Sequence, residues 1–74
     1  MTQDMLFSLT VNGQERTFDP APDTVADLVH TLGFDNARIA VELNRRIVAR
    51  ATWSDIALQN NDIIELVHFV GGGS

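Results

Sequence analysis

Thr24-Val25-Ala26-Asp27-Leu28-Val29-His30-Thr31-Leu32-Gly33 reads as one complete helix with both ends marked. Val25, Leu28, Val29 and Leu32 recur at i, i+3, i+4 and i+7, which gathers them into a single apolar stripe. Thr24 is placed as the N-cap, its hydroxyl able to accept from the free N–H of Asp27. The Asp27 carboxylate suits the positive end of the helix dipole. Gly33 fits the left-handed position that stops a helix, so the element is expected to run for about three turns. One stripe covers one face of one sheet, so the flanking sequence must supply that sheet.

It does so on both sides. From Met5 to Val11 the residues alternate, with Phe7, Leu9 and Val11 on one face and Leu6, Ser8 and Thr10 on the other, the period of a half-buried strand. Asn12-Gly13 is a strong hairpin signal, because both central residues of a type I′ turn need positive φ. A second strand over about Glu15 to Asp19 pairs back and stops at Pro20 and Pro22, which cannot donate to a ladder. After the helix, Ile39 to Leu43 alternates again, and a short strand follows near Ile47 to Ala49; Arg45-Arg46 between them is poor turn chemistry. Ala51 to Leu58 has no clean period and reads as a packed loop or short 3-10 turn carrying Trp53, Ile56 and Leu58. Asn60-Asn61-Asp62 marks a turn, and Ile63 to Val70 forms the most apolar strand.

The resulting order, two strands, helix, two strands, turn, strand, is that of an α+β domain of the β-grasp, ubiquitin-like type. A mixed sheet of about four to five strands carries one helix packed across one face. The domain is expected over residues 1–70, followed by a glycine-rich tail over 71–74, expected to be flexible.

Composition narrows the function. A chain of 74 residues is one domain and has little core to give up to an enclosed active site, so a binding or carrier module is expected rather than an enzyme. With 45% hydrophobic and 20% charged residues it is ordinary globular material. A net charge of −5 argues against nucleic acid, and Arg45, Arg46 and Arg50 are expected as solvated cations rather than a phosphate site. The absence of cysteine removes thiolate chemistry and disulfides. His30 and His68 have no third ligand pattern about them, so no metal is expected. The N-terminus does not read as a signal peptide and no apolar run approaches a membrane span, so a cytoplasmic location without membrane contact is expected.

The tail carries the chemistry. Gly71-Gly72-Gly73 has no side chains to obstruct a narrow channel, so a chain end of this kind can carry a carboxylate into another protein's active site. A carboxylate is a poor electrophile; adenylation by ATP turns it into a mixed anhydride that a sulfur donor can attack. No phosphate-binding loop is present here, so ATP would be bound and used by a partner and no cofactor by this chain. Glycines followed by Ser74 are equally the composition of a flexible linker or cloning scar, and composition does not choose between these readings.

The preceding sequence does bear on the choice. Ile39 to Asn44 is an apolar strand ending in Asn; Arg50 stands three residues before Trp53; Asp62 and Glu65 open a last strand that runs through Val67, His68, Phe69 and Val70 into Gly71-Gly72-Gly73. In order and spacing these residues resemble the bacterial ThiS family over about half the chain. The N-terminal half agrees in pattern through Asn12-Gly13-Gln14 and the Thr24-led helix.

The resemblance implies a β-grasp fold and a sulfur carrier for the thiazole of thiamin. It implies a ThiF-type adenylyltransferase that activates the terminal glycine, a cysteine desulfurase as sulfur source, and thiazole synthase (ThiG) as receiver of sulfur from the thiocarboxylate. Carried over by position, the reactive carboxylate is that of Gly73, with Gly72 its required neighbour. The family pattern ends at Gly-Gly, whereas Ser74 follows here. Ser74 is an appended residue, is trimmed by a protease, or is retained in an inactive carrier, and the first two are favoured together. Other readings are a molybdopterin-synthase small subunit, a tRNA-thiolation carrier, a conjugated protein modifier, or a non-reacting ubiquitin-like interaction domain.

On the last strand, alternation places Ile64 and Leu66 toward the helix and Ile63, Glu65, Val67 and Phe69 on the opposite face. Val67 and Phe69, with Glu65, Val70 and Gly71, are therefore expected to form the partner-binding surface beside the tail. His68 is expected to be packed or hydrogen-bonded and not catalytic, and Trp53 is expected as a packing residue at the sheet edge. Asp62 and Glu65 are expected as turn and surface residues rather than an acid–base pair, so no catalytic residue is assigned.

Overall fold

The computed structural model describes residues 6–69. Its strands are β1 (Phe7–Val11), β2 (Gln14–Phe18), β3 (Ile39–Leu43), β4 (Arg46–Val48) and β5 (Ile63–His68), with one helix, α1 (Val25–Leu32), between β2 and β3. Short 3-10 turns occupy Asn36–Arg38 and Arg50–Asp55. The sheet order is β2-β1-β5-β3-β4. β1 and β5 run parallel at the centre and every other neighbouring pair is antiparallel. This is the mixed β-grasp sheet that the element order predicted, with the most apolar strand in the middle.

Helix α1 is built as its sequence dictates. The Asp27 N–H donates to Thr24 Oγ1, and the Asp27 carboxylate accepts in return from the Thr24 N–H, which closes a capping box. Gly33 takes φ 80° and ends the element. The helix has eight residues, a little over two turns rather than the three expected, because Thr24 and Gly33 serve as caps and do not lengthen it. Val25, Leu28 and Val29 are fully buried against Leu9 and Ile64 of the central strands. Each such side chain contributes roughly 1.5–3 kcal/mol by leaving water.

Both hairpins turn through residues of positive φ. Asn12 (φ 51°) and Gly13 (φ 83°) join β1 to β2 as predicted. The second turn is Asn44-Arg45, with φ values of 51° and 74°, and not Arg45-Arg46. Asn44 tolerates the left-handed region because its short amide bonds to nearby backbone, and that shifts β4 one residue earlier than expected. β2 likewise starts at Gln14, directly after the glycine. β5 is assigned through His68, and Val70, the expected strand end, lies outside the described residues.

Trp53 sits in the core at 2% exposure, and its Nε1–H donates to Val48 O at 3.1 Å, so this packing residue also fastens the 3-10 turn to edge strand β4. The same loop is tied to the start of the helix by the Val25 N–H donating to Ile56 O and the Leu58 N–H donating to Asp23 O. Sheet, helix and loop therefore enclose one core, and among the described residues the sheet face opposite α1 is left open.

Candidate functional site at the end of the central strand

The register of β5 decides what it presents. Its odd-numbered residues bond to the β3 side: the Asn44 N–H donates to Ile63 O and the Phe69 N–H to Arg38 O. In the strand's pleat, Ile64 (0% exposed) and Leu66 (8%) go under the helix, whereas Ile63, Glu65, Val67 (52%) and Phe69 (53%) emerge on the open face. Every facing expected from the alternation is observed.

Two polar clips hold this strand. Asn44 Nδ2 donates to Asp62 Oδ1 at 3.0 Å, and Asn44 Oδ1 accepts from the Ile63 N–H at 2.9 Å. Asp62 Oδ2 accepts from the Gln59 N–H at 2.8 Å, so one Asn–Asp pair fixes the β3–β4 turn, the turn before β5 and the first β5 residue together. At the other flank, Asn12 Oδ1 accepts from the Leu66 N–H at 2.7 Å and Asn12 Nδ2 donates to Leu66 O. The clips hold β5 as far as Leu66, and the Phe69 N–H bonds to Arg38 O beyond them. Val70, Gly71, Gly72, Gly73 and Ser74, which include the candidate reactive carboxylate, lie outside the described residues.

The open face is apolar near the strand's end and acidic along its middle. Ala40 pairs with Val67 in register, and Glu42 with Glu65. Like charges directly opposite one another repel, and among the described residues neither carboxylate has a cation within salt-bridge distance. Arg45 lines a shallow hollow with Glu42, Glu65 and Ile63 without closing an ion pair. Such a pair of carboxylates invites a cation from outside.

Ile47, 76% exposed on β4, extends the apolar part, and an open groove runs between Ile47, Ala40, Ala49, Arg50, Trp53 and Phe69. Sequence reading missed Ile47, because a three-residue strand is too short to define which face each residue takes. Of the three clustered arginines, all exposed, Arg50 is engaged through Nη1 with Asn36 O at 2.9 Å. His68 lies on the helix side, edge-on to Phe34 at 5.8 Å between ring centroids. Among the described residues no group of three His, Asp or Glu could hold a metal ion, and no helix is long and apolar enough to cross a membrane.

From β1 through the central strand to the third glycine, residues 9–73 match the ThiS family model. The chain belongs to the ThiS family. It is 34% identical over 65 residues to the sulfur carrier protein ThiS of Bacillus subtilis, covering 88% of this chain and 98% of that one. The crystal structure of the thiamine biosynthesis protein ThiS from Geobacter metallireducens superposes with a TM-score of 0.78 at 32% identity, over 90% of this chain and 100% of that one. The thiazole synthase of Paramagnetospirillum magneticum is 42% identical over 66 residues, 89% of this chain but 20% of that protein. A thiazole synthase from Magnetococcus marinus matches in the same way, at 41% identity, so the chain spans about a fifth of the length of these two relatives. The clips Asn44 and Asp62 are among the residues that carried the sequence resemblance, with Arg50, Trp53, Glu65 and the glycines, and in this chain they bond to one another.

Proposed function

We propose that this chain is the sulfur carrier of thiamin thiazole formation and works through the carboxylate of Gly73. The supporting observation is that the family match runs from the core strands through Gly71, Gly72 and Gly73, which favours reading the glycines as part of the carrier over an appended linker. The fold has an anchored central strand leading to them, with Val67 and Phe69 exposed alongside for a partner to grip.

In the proposed cycle the chain's own part is presentation. A ThiF-type adenylyltransferase binds the open face and draws the glycines into its site, where the carboxylate attacks the α-phosphorus of ATP and pyrophosphate leaves. A persulfide supplied through a cysteine desulfurase then displaces AMP: the C–O bond to AMP breaks and a C–S bond forms, and a thiol reductant cleaves the S–S bond of the resulting acyl disulfide to leave the thiocarboxylate. The thiocarboxylate is delivered to thiazole synthase, the kind of protein of which two relatives carry this sequence as one fifth of their length. The chain itself binds no cofactor and catalyses no step. The chemistry requires a free carboxylate on Gly73, so Ser74 must be absent or removed before activation.

Intact mass measured on the native protein, and again after incubation with the adenylyltransferase, ATP and a sulfur source, tests the proposal. The expected result is a chain ending at Gly73 that gains the mass of sulfur in place of oxygen. A chain that keeps Ser74 and never changes mass would make it a non-reacting interaction domain.

A further inference from the structure

β5 runs past the end of its neighbour. β1 pairs with it only at Thr10–Ile63 and Val11–Ile64, after which the chain turns away at Asn12-Gly13. The even-numbered residues of β5 point their backbone groups to this side: the Asn12 N–H donates to Ile64 O, and the Asn12 side chain takes both the N–H and the C=O of Leu66. Asn12 thereby stands in for one more residue of β1. The next pair of groups in the series, the N–H and C=O of His68, extends beyond the reach of Asn12 and has no hydrogen-bond partner among the described residues. Strand edges left open in this way are templates for another strand.

The other edges of the sheet differ. β2 presents Gln14, Glu15, Arg16 and Thr17, a polar and charged rim that discourages pairing, and β4 is only three residues long. At His68 the open edge is flanked by exposed Val67 and Phe69 and lies immediately before the tail.

Resting on the carrier reading above, we propose that an extended segment of thiazole synthase adds to this edge beside β5, pairing with the His68 N–H and C=O. The segment would lay an apolar side chain over Val67 or Phe69 and a cationic one toward the unpaired Glu42 and Glu65. Strand addition aligns the receiving segment with the direction in which β5 delivers its glycines. The two relatives in which this sequence is a fifth of a thiazole synthase support that enzyme as the occupant.

Amide hydrogen exchange of the free chain and of its complex with thiazole synthase tests this. The expected result is a His68 amide that exchanges rapidly in the free chain and is protected in the complex, with Leu66 slow in both. A synthetic chain whose His68 N–H is replaced by an ester oxygen should fold unchanged and bind about 2- to 10-fold more weakly, the worth of one net hydrogen bond. A complex in which the His68 amide still exchanges as in the free chain overturns strand addition and leaves the carrier reading standing. Failure of the two proteins to bind overturns strand addition, while the sulfur mass gain remains the separate test of the carrier. Protection in the free chain that rises with its concentration would assign the edge to a second copy and also overturn the proposal.

Discussion

Among single residues, Asn44 carries more than any sequence pattern assigns to it. Its backbone stands at φ 51°, its amide bonds to Asp62 and to the Ile63 N–H, and both ends of the side chain are satisfied. Asn44→Ala imposes left-handed strain on a residue with a Cβ and removes both bonds, so the unfolding free energy should fall by about 2–4 kcal/mol in denaturant titration. Asn44→Gly relieves the strain and should recover about 1 kcal/mol of that loss. Equal losses in the two variants would show that conformation has no part in the choice of Asn. Gly33 offers the reverse case. A Cβ added there meets nothing within 4 Å, so Gly33→Ala costs only the price of φ 80°, about 1–2 kcal/mol in the same measurement. Thr24→Ala opens the capping box and should cost about 1 kcal/mol.

At the level of the element, β5 buries one face in the core and leaves the other for the proposed docking, and adjacent substitutions should separate the two. Leu66→Ala removes buried methyl groups from beneath the helix and should lower stability by about 2–4 kcal/mol. Val67→Asp, one residue on, changes an exposed side chain and should alter stability by less than about 0.5 kcal/mol in denaturant titration. It should nevertheless weaken binding of the proposed adenylyltransferase at least about tenfold in calorimetry, as should Phe69→Asp, because each places a charge where the proposed docking would desolvate an apolar side chain. Unfolding of either aspartate variant would put that side chain in the core and remove it from the docking surface. The opposite facings of Leu66 and Val67 follow from the two-residue period of the strand.

For the whole molecule, charge and architecture act together. A net charge of −5, with Glu42 and Glu65 opposed on the open face, favours encounter with a basic partner surface. The association rate with the adenylyltransferase should therefore fall as salt rises from about 0.05 to 0.5 M while the dissociation rate changes little. A salt-independent association rate would exclude electrostatic steering.

The sequence by itself determined whatever depends on near neighbours. The i, i+3, i+4, i+7 stripe and its Thr24 and Gly33 caps define the helix, Asn12-Gly13 defines the first turn, and the alternation of Ile63 to Phe69 assigns both faces of β5. These features are set by local steric preference and by the fixed periods of helix and strand. The spacing of Asn44, Arg50, Trp53 and Asp62 ahead of the glycines was enough to indicate the family. The tertiary structure alone decided which strands lie together. The β1–β5 parallel pairing joins distant parts of the chain, and no local period encodes a partner. From that pairing follows the reach of Asn12 to Leu66 that stops short of His68, and from the β3–β5 and β3–β4 pairings follow the joining of three chain segments by Asn44 and Asp62 and the placing of Ile47 beside Phe69.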